Sequence, residues 1–248
     1  MIIDAHVHVG RASYLGLNAT PEQLLRLADD AGIDRLFCTH CAALFYDMKE
    51  GNRALYGMLC QYPDRLIGYI SIPSGRHGRE ALEEIERGVS DYGMKGLKIY
   101  STTEVPISEP YTVEMIAKAA ELGIPILAHS TPWACEQVAA EVPEAKLIMA
   151  HMGNTAIARG DWNWAIAAAR RYPNIYLDTS GSTVDLGYLE AAVEAVGAER
   201  VIFGSDLPLF DAPFALAKTW DAEIDEEARR LILGGNIARL AGLDWRWQ

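Results

Sequence analysis

Short apolar runs alternate along this chain with longer stretches in which apolar residues recur every three or four positions. The first run, Met1 to Gly10, is rich in β-formers (Ile2, Ile3, Val7, Val9) and is closed by a glycine, which predicts a buried strand. On a regular strand Asp4, His6 and His8 project to one face and Ile3, Ala5, Val7 and Val9 to the other. The next segment changes period. Thr20 can cap a helix, Pro21 suits its first position, Leu24, Leu25, Leu27 and Ala28 form its core stripe, and Gly32 stops it.

The same alternation continues to the end. Strands are expected over 33–39, 65–72, 94–100, 124–129, 145–151, 175–179 and 200–205. Helices are expected over about 49–62, 80–92, 113–122, 133–141, 162–172 and 186–196, with helical segments after Pro213 and from Asp225. Strands each followed by a helix are the arithmetic of a parallel barrel rather than of an open sheet. The expected fold is therefore α/β, a single (β/α)8 TIM barrel over residues 1–248, with no linker, low-complexity tract or alignable repeat.

Composition narrows the partners. The chain has 248 residues, half of them hydrophobic, and a formal net charge of -12, which disfavours nucleic acid and anionic membrane, both held largely by excess Lys and Arg. No apolar run approaches the ~20 residues that span a bilayer, and there is no basic segment leading a cleavable apolar stretch, so the expected location is cytoplasmic. Cys38, Cys41, Cys60 and Cys135 are too few and scattered for a disulfide framework, and Cys38-x-x-Cys41 reads as buried thiols. The Trp245-Arg246-Trp247 tail is a candidate surface for a homo-oligomer.

In such a barrel chemistry gathers at the carboxyl ends of the strands. The first expected strand ends in His6 and His8, the fourth carries Lys98, the fifth ends in His129, the sixth in His151 and the eighth in Asp206. Imidazole suits zinc, manganese, iron or nickel, and histidines at alternate strand positions can reach one ion.

The segments Asp-Ala-His-Val-His, Leu-Ala-His-Ser, Met-Ala-His-Met-Gly and Phe-Gly-Ser-Asp-Leu-Pro resemble the signatures of the amidohydrolase superfamily. With the closing Gly-Asn-Ile-Ala-Arg-Leu they resemble, more narrowly, the amidohydrolase-related family that includes aminocarboxymuconate-semialdehyde decarboxylase and uncharacterised metal-dependent hydrolases. The resemblance implies that His6, His8 and Asp206 bind a first metal, expected to be zinc, with His129 on the same ion or a second. His151 is then either a ligand of a second ion or a free acid/base group. Lys98 is either carboxylated and bridging two ions, or an ammonium that faces a substrate carboxylate or pairs with a nearby acid. Asp206 is within reach of proton transfer, so the catalytic expectation is Asp206 with His151.

Around this set, Arg11 and Tyr14, Thr39 and His40, Tyr100, Trp133, and Asn154 and Arg159 follow strands on the functional face. Of these, Arg11, Tyr100, Trp133 and Arg159 are the expected substrate contacts. Asp4 is expected to orient a histidine or to pack in the barrel floor, Trp162 and Trp164 to pack a helix, and His77 to be a solvated loop residue. The leading reading is a hydrolase using metal-activated water on an amide, ester or lactone of a small carboxylated molecule. The alternatives are a mononuclear zinc decarboxylase and, from another class, a catalytically idle barrel that binds a metabolite. A deaminase lacks its His-Ala-Glu motif here, and a TatD-type nuclease would replace Lys98 by glutamate.

Overall fold

The computed structural model describes residues 1–13, 16–75, 78–102, 104–153, 162–181 and 186–247. Tyr14, His77, Asn154 and Arg159 lie outside the described residues. One curled sheet runs through the molecule, with β1 (Ile3–Ala12), β2 (Leu17–Ala19), β3 (Arg35–His40), β4 (Leu66–Pro73) and β5 (Gly96–Tyr100) in its first half. β6 (Ile126–His129), β7 (Leu147–Met149), β8 (Ile175–Asp178) and β9 (Val201–Ile202) complete it. The strand order is β2-β1-β3-β4-β5-β6-β7-β8-β9. All neighbours are parallel except β1 and β2, which form an antiparallel hairpin. The hairpin was not expected, because Leu17-Asn18-Ala19 is too short to display a period.

The far edge curls back on the first strand. Ala5 N–H donates to the Phe203 carbonyl at 3.0 Å, Asp206 N–H to the His6 carbonyl at 2.9 Å, and His8 N–H to the Leu207 carbonyl at 2.7 Å. Helices follow the strands, among them Pro21–Ala31, Met48–Gln61, Arg79–Ser90, Pro110–Glu121, Pro132–Glu141, Trp162–Arg171, Tyr188–Val196 and Ala212–Trp220. Their starts obey local chemistry. Thr20 and Gln23 make a reciprocal capping box ahead of Pro21, and Glu109 caps the helix that opens at Pro110, three residues earlier than expected.

A register shift in β1 decides which side chains face inward. From Asp4 to Val7 the strand advances three residues while β3 advances two, from Leu36 to Cys38. This bulge reverses the facing pattern, since two residues of β1 share one opposing position. Ile3 and Ala5 therefore pack with Phe37, Ile67, Tyr69, Leu127, Ile148 and Ile202 in the inner core. Beyond the bulge Val7 and Val9 join the outer layer against the helices. The expectation that one face carries Asp4, His6 and His8 along a regular strand is corrected by this bulge.

β7, β8 and β9 end earlier than the apolar pattern suggested. β7 stops at Met149 because His151 and Met152 take left-handed conformations at φ 55° and 48°. Each such non-glycine residue costs about 1–3 kcal/mol, and such strain clusters at functional sites. The two tail tryptophans are half-buried. Trp245 Nε1 donates to the Met1 carbonyl at 2.8 Å and the Met1 amino group to the Arg246 carbonyl at 3.0 Å, so the segment packs against the inner core instead of projecting. The cysteines are free; Cys38 and Cys41 are buried as expected, Cys135 is buried too, and Cys60 is exposed. Among the described residues no helix is long and apolar enough to cross a membrane.

Candidate metal centre

Four strand ends place their polar side chains together. His6 comes from the bulge of β1 and His8 from just past it, Lys98 from β5, Asp178 from the end of β8, and Asp206 from the segment after β9. All five are buried. His8 Nε2 lies 2.9 Å and His6 Nε2 3.6 Å from Asp206 Oδ1, and Lys98 Nζ stands 2.8 Å from the same His6 nitrogen. Asp206 Oδ1 is buried, and its nearest polar neighbours are these histidine ring nitrogens. A buried carboxylate oxygen in that state is costly unless a cation completes it. Two imidazole nitrogens and this carboxylate form a donor set suited to a divalent ion.

The other ring nitrogen of His6 fixes which nitrogen is left for a ligand. His6 Nδ1 lies 2.7 Å from Asp178 Oδ2, and Ser180 Oγ donates to the same carboxylate oxygen at 2.5 Å. Since the carboxylate can only accept, the network assigns the proton of His6 to Nδ1 and leaves the Nε2 lone pair facing Asp206. The Ser180 hydroxyl has spent its proton on Asp178, so it accepts from His151 Nδ1 at 2.8 Å. His151 is thereby also an Nδ1–H tautomer with a free lone pair on Nε2. Backbone N–H groups of Ser180 and His151 complete the Asp178 carboxylate at 2.9 and 3.3 Å.

His6, His151 and Asp178 form a second group of potential ligands. Ser180 Oγ stands in its middle, 3.0 Å from His6 Nδ1, 2.8 Å from His151 Nδ1 and 2.5 Å from Asp178 Oδ2. The Ser180 hydroxyl therefore links the three side chains of that group. Gly204 makes the close packing possible, because a Cβ there would stand 2.4 Å from Asp178 Oδ1 and 2.8 Å from the His6 Cβ.

Charge follows burial and contact. Burial pushes the Asp206 carboxyl up, but His151, the His8 hydrogen bond and His6 outweigh it and hold the group far below the usual carboxylate range. Burial likewise opposes Asp178, which His6, His151 and Ser180 nevertheless hold at about 2. Burial lowers Lys98 to about 8, partly offset by Asp206 and Asp178, and lowers His151 to about 4. His6, His8 and His129 are all lowered, first by burial. The site holds carboxylates and neutral imidazoles, the protonation state a metal requires.

The remaining expected residues sort less evenly. His129 joins neither ligand group among the described residues. Its ring stands edge-on to His151 at 5.3 Å and stacked on Tyr100 at 4.8 Å. His151 meets the His6 ring at 4.8 Å and Asp206 Oδ2 at 4.0 Å. Arg11 is exposed on the hairpin opposite Asn18, and Trp133 is on the surface edge-on to Trp164 at 5.4 Å, so neither is brought to the cluster. Trp162 packs edge-on to Tyr188, a helix contact as expected. Thr39, opposite His8 in register, has a buried hydroxyl with no partner. His40 instead caps the following helix by accepting the Ala42 N–H at 3.2 Å.

Asp4 does not touch an imidazole. It accepts the His6 N–H at 3.1 Å, the Ser205 N–H at 2.9 Å and the Ser205 hydroxyl at 2.5 Å, and burial raises it to about 7. It ties β1 to the segment that carries Asp206. Asp178 and Ser180 were missed, although Ile-Tyr-Leu-Asp-Thr-Ser ends an apolar run in a carboxylate, the signal that singled out Asp206.

The chain matches the family model described as amidohydrolase over residues 3–243. No curated protein sequence matches it. Among solved structures it is similar to a dihydroxybenzoic acid decarboxylase from a Polaromonas species with bound manganese and the inhibitor 2-nitroresorcinol, at TM-score 0.80 and 16% identity, covering 97% of this chain and 96% of that one. It is similar to 5-carboxyvanillate decarboxylase from Sphingomonas paucimobilis at TM-score 0.80 and 17% identity, covering 98% and 99%. A third similar structure is 4-oxalomesaconate hydratase from Rhodopseudomonas palustris, at TM-score 0.73 and 17% identity, covering 98% and 96%.

Proposed function

The chain belongs to the amidohydrolase family, and from that premise we propose that it is a metal-dependent decarboxylase of a small carboxylic acid, working with one divalent ion. The observation that carries this reading is the Ser180 hydroxyl within hydrogen-bond distance of His6, His151 and Asp178 at once. It holds His151 through Nδ1 and is backed by the Asp178 anion, an arrangement that suits an acid/base imidazole. We read the curled sheet as a closed (β/α)8 barrel forming one domain over residues 1–248, supported by the hydrogen bonds from residues 203–207 to β1.

His6, His8 and Asp206 would hold the ion, and zinc or manganese suits this set. A bound ion supplies a Lewis acid that gathers the substrate's oxygens and spreads their negative charge. His151, neutral because burial holds it at about 4, takes a proton from the substrate's acidic group through its Nε2 lone pair and returns it to carbon. The bond from that carbon to the carboxyl carbon breaks, carbon dioxide leaves, and the electron pair left on carbon takes the proton. Asp178, an anion reached through Ser180, stabilises the imidazolium while His151 carries that proton. Lys98 pairs with the substrate carboxylate, and the Tyr100 ring offers a flat surface beside it.

A hydrolytic reading keeps one support. Burial lowers Lys98 to about 8, so a fraction of its amine is neutral and open to carboxylation. The two are separated by incubating the manganese- or zinc-loaded protein in deuterium oxide with 2,6-dihydroxybenzoate and related hydroxybenzoates, and separately with esters and lactones. Carbon dioxide release with one deuterium at the vacated carbon is the expected outcome. Ester or lactone cleavage with no carbon dioxide from any acid would overturn it.

A further inference from the structure

One lysine near the centre takes no part in the chemistry described so far. Lys218, on the helix Ala212–Trp220, donates through Nζ to the Thr179 carbonyl at 2.7 Å and to the Gly181 carbonyl at 3.0 Å, with the Phe214 ring centred 5.4 Å away. The two carbonyls belong to the residues on either side of Ser180. The side chain is half-buried, and burial lowers it to about 8 against the pull of Asp178 and Asp206, the anions of the centre. A lysine on a helix can send its ammonium into water at no such cost.

We propose that Lys218 is a positioning residue. By gripping the chain on both sides of Ser180 it fixes the Ser180 hydroxyl as the acceptor for His151 Nδ1, and so keeps the His151 Nε2 lone pair free for the substrate. The inference rests on the reading of His151 as the acid/base group.

The turn that carries Ser180 is held from several sides. Thr179 N–H donates to the Ile202 carbonyl of β9 at 3.0 Å and Ser180 N–H to Asp178 Oδ1 at 2.9 Å, so the amides are tied to the sheet and Lys218 takes the carbonyls. Gly181, at φ 82°, carries the chain close past the imidazole, since a Cβ there would stand 3.0 Å from His151 Nδ1. The hydroxyl turns about one bond, and its reach is set by where the backbone puts the Ser180 Cβ. It donates to Asp178 Oδ2 at 2.5 Å and accepts from His151 Nδ1 at 2.8 Å. A displaced backbone lets it keep one of the two, and the charged carboxylate is the stronger partner. His151 is the contact that is lost. The Asp206 carbonyl accepts the Leu209 N–H at 2.9 Å just before the Lys218 helix, so the clamp also ties the segment of the metal carboxylate to the turn that holds His151.

The test reads the His151 ring directly. Nitrogen NMR of the full, zinc-loaded protein with labelled histidine, at neutral pH where His151 is uncharged, separates the two tautomers, and the signals lost in His151→Gln assign the ring. The parent shows the Nδ1–H form. In Lys218→Met the ratio of the Nδ1–H to the Nε2–H form falls about tenfold, while the His6 and His8 rings keep their parental shifts. Lys218→Met adds nothing in a Ser180→Ala background, because the hydroxyl through which it acts is gone. If Lys218→Met does not fold, Lys218→Gln is read by the same comparisons. A parental ratio in the lysine variant, an equal change at His6 and His8, or effects of the lysine and serine variants that simply add overturns the proposal and leaves Lys218 a support of the turn only. Because the spectrum is read without substrate, a failed decarboxylase reading is recognised separately by the absence of carbon dioxide release.

Discussion

Asp178→Asn tests the carboxylate that no apolar pattern announced. In the parent, Oδ2 accepts from His6 Nδ1 at 2.7 Å and from Ser180 Oγ at 2.5 Å, and Oδ1 accepts the Ser180 N–H at 2.9 Å. An asparagine keeps the shape but offers one oxygen, so its amide N–H₂ must face a donor whichever way it turns. The His6 contact is charge-assisted, worth about 1.5–3 kcal/mol, and the unsatisfied donor costs about 1–3 kcal/mol more in a fully buried place. The first quantity bears on the His6 lone pair, the second on folding. Partners of metal-binding histidines typically account for about 10–100-fold in affinity. The expected result is a metal dissociation constant weakened by that factor in competition against a chromophoric chelator, with a lowered melting temperature. A lowered melting temperature with metal affinity within twofold of the parent would refute the reasoning, since Asp178 would then be a core group only.

Gly204→Ala places a Cβ at 2.4 Å from Asp178 Oδ1, so thermal denaturation of the variant should reveal a loss of about 1–3 kcal/mol together with weaker metal binding; parent-like values would contradict the close approach. Lys218 donates to the Thr179 and Gly181 carbonyls at 2.7 and 3.0 Å, and burial lowers it to about 8 from 10.5. Below pH 8 both folded and unfolded states are charged and the burial penalty is fully present; between 8 and 10.5 the unfolded chain binds more protons, so stability rises with pH. The parent should therefore gain about 1–3 kcal/mol over Lys218→Met across that window in denaturant titrations, and a flat difference would deny it. Deleting residues 245–248 exposes the inner core beneath Trp245 and should cost about 2–4 kcal/mol without loss of metal, read by urea unfolding and elemental analysis.

The alternation of apolar runs and helical stripes made the strand order and most helices legible, since each element buries one face and says so in its period. The β1 bulge was not legible, because one extra residue leaves the composition of the strand unchanged and only its pairing with β3 reveals it. Its effect is large, as it turns Ala5 and His6 to the same interior. Histidines stand out by rarity, so His6, His8 and His151 were found with Asp206, whereas Asp178 and Ser180 look like an ordinary polar strand end. The β2 hairpin and the packed tail escaped for a related reason. Three residues show no period, and whether Trp245 is exposed depends on Met1, at the other end of the chain.

The central claim is one ion per chain, bound by His6, His8 and Asp206 with His151 outside the ligand set. Metal-to-protein stoichiometry by elemental mass spectrometry, on protein stripped and then saturated with zinc or manganese, tests it most directly. The ratio is expected to stay at one when the metal is in excess and to be unchanged in His151→Ala. A ratio of two that falls when His151 is replaced would contradict it, and would return the centre to a two-metal site with a carboxylated Lys98.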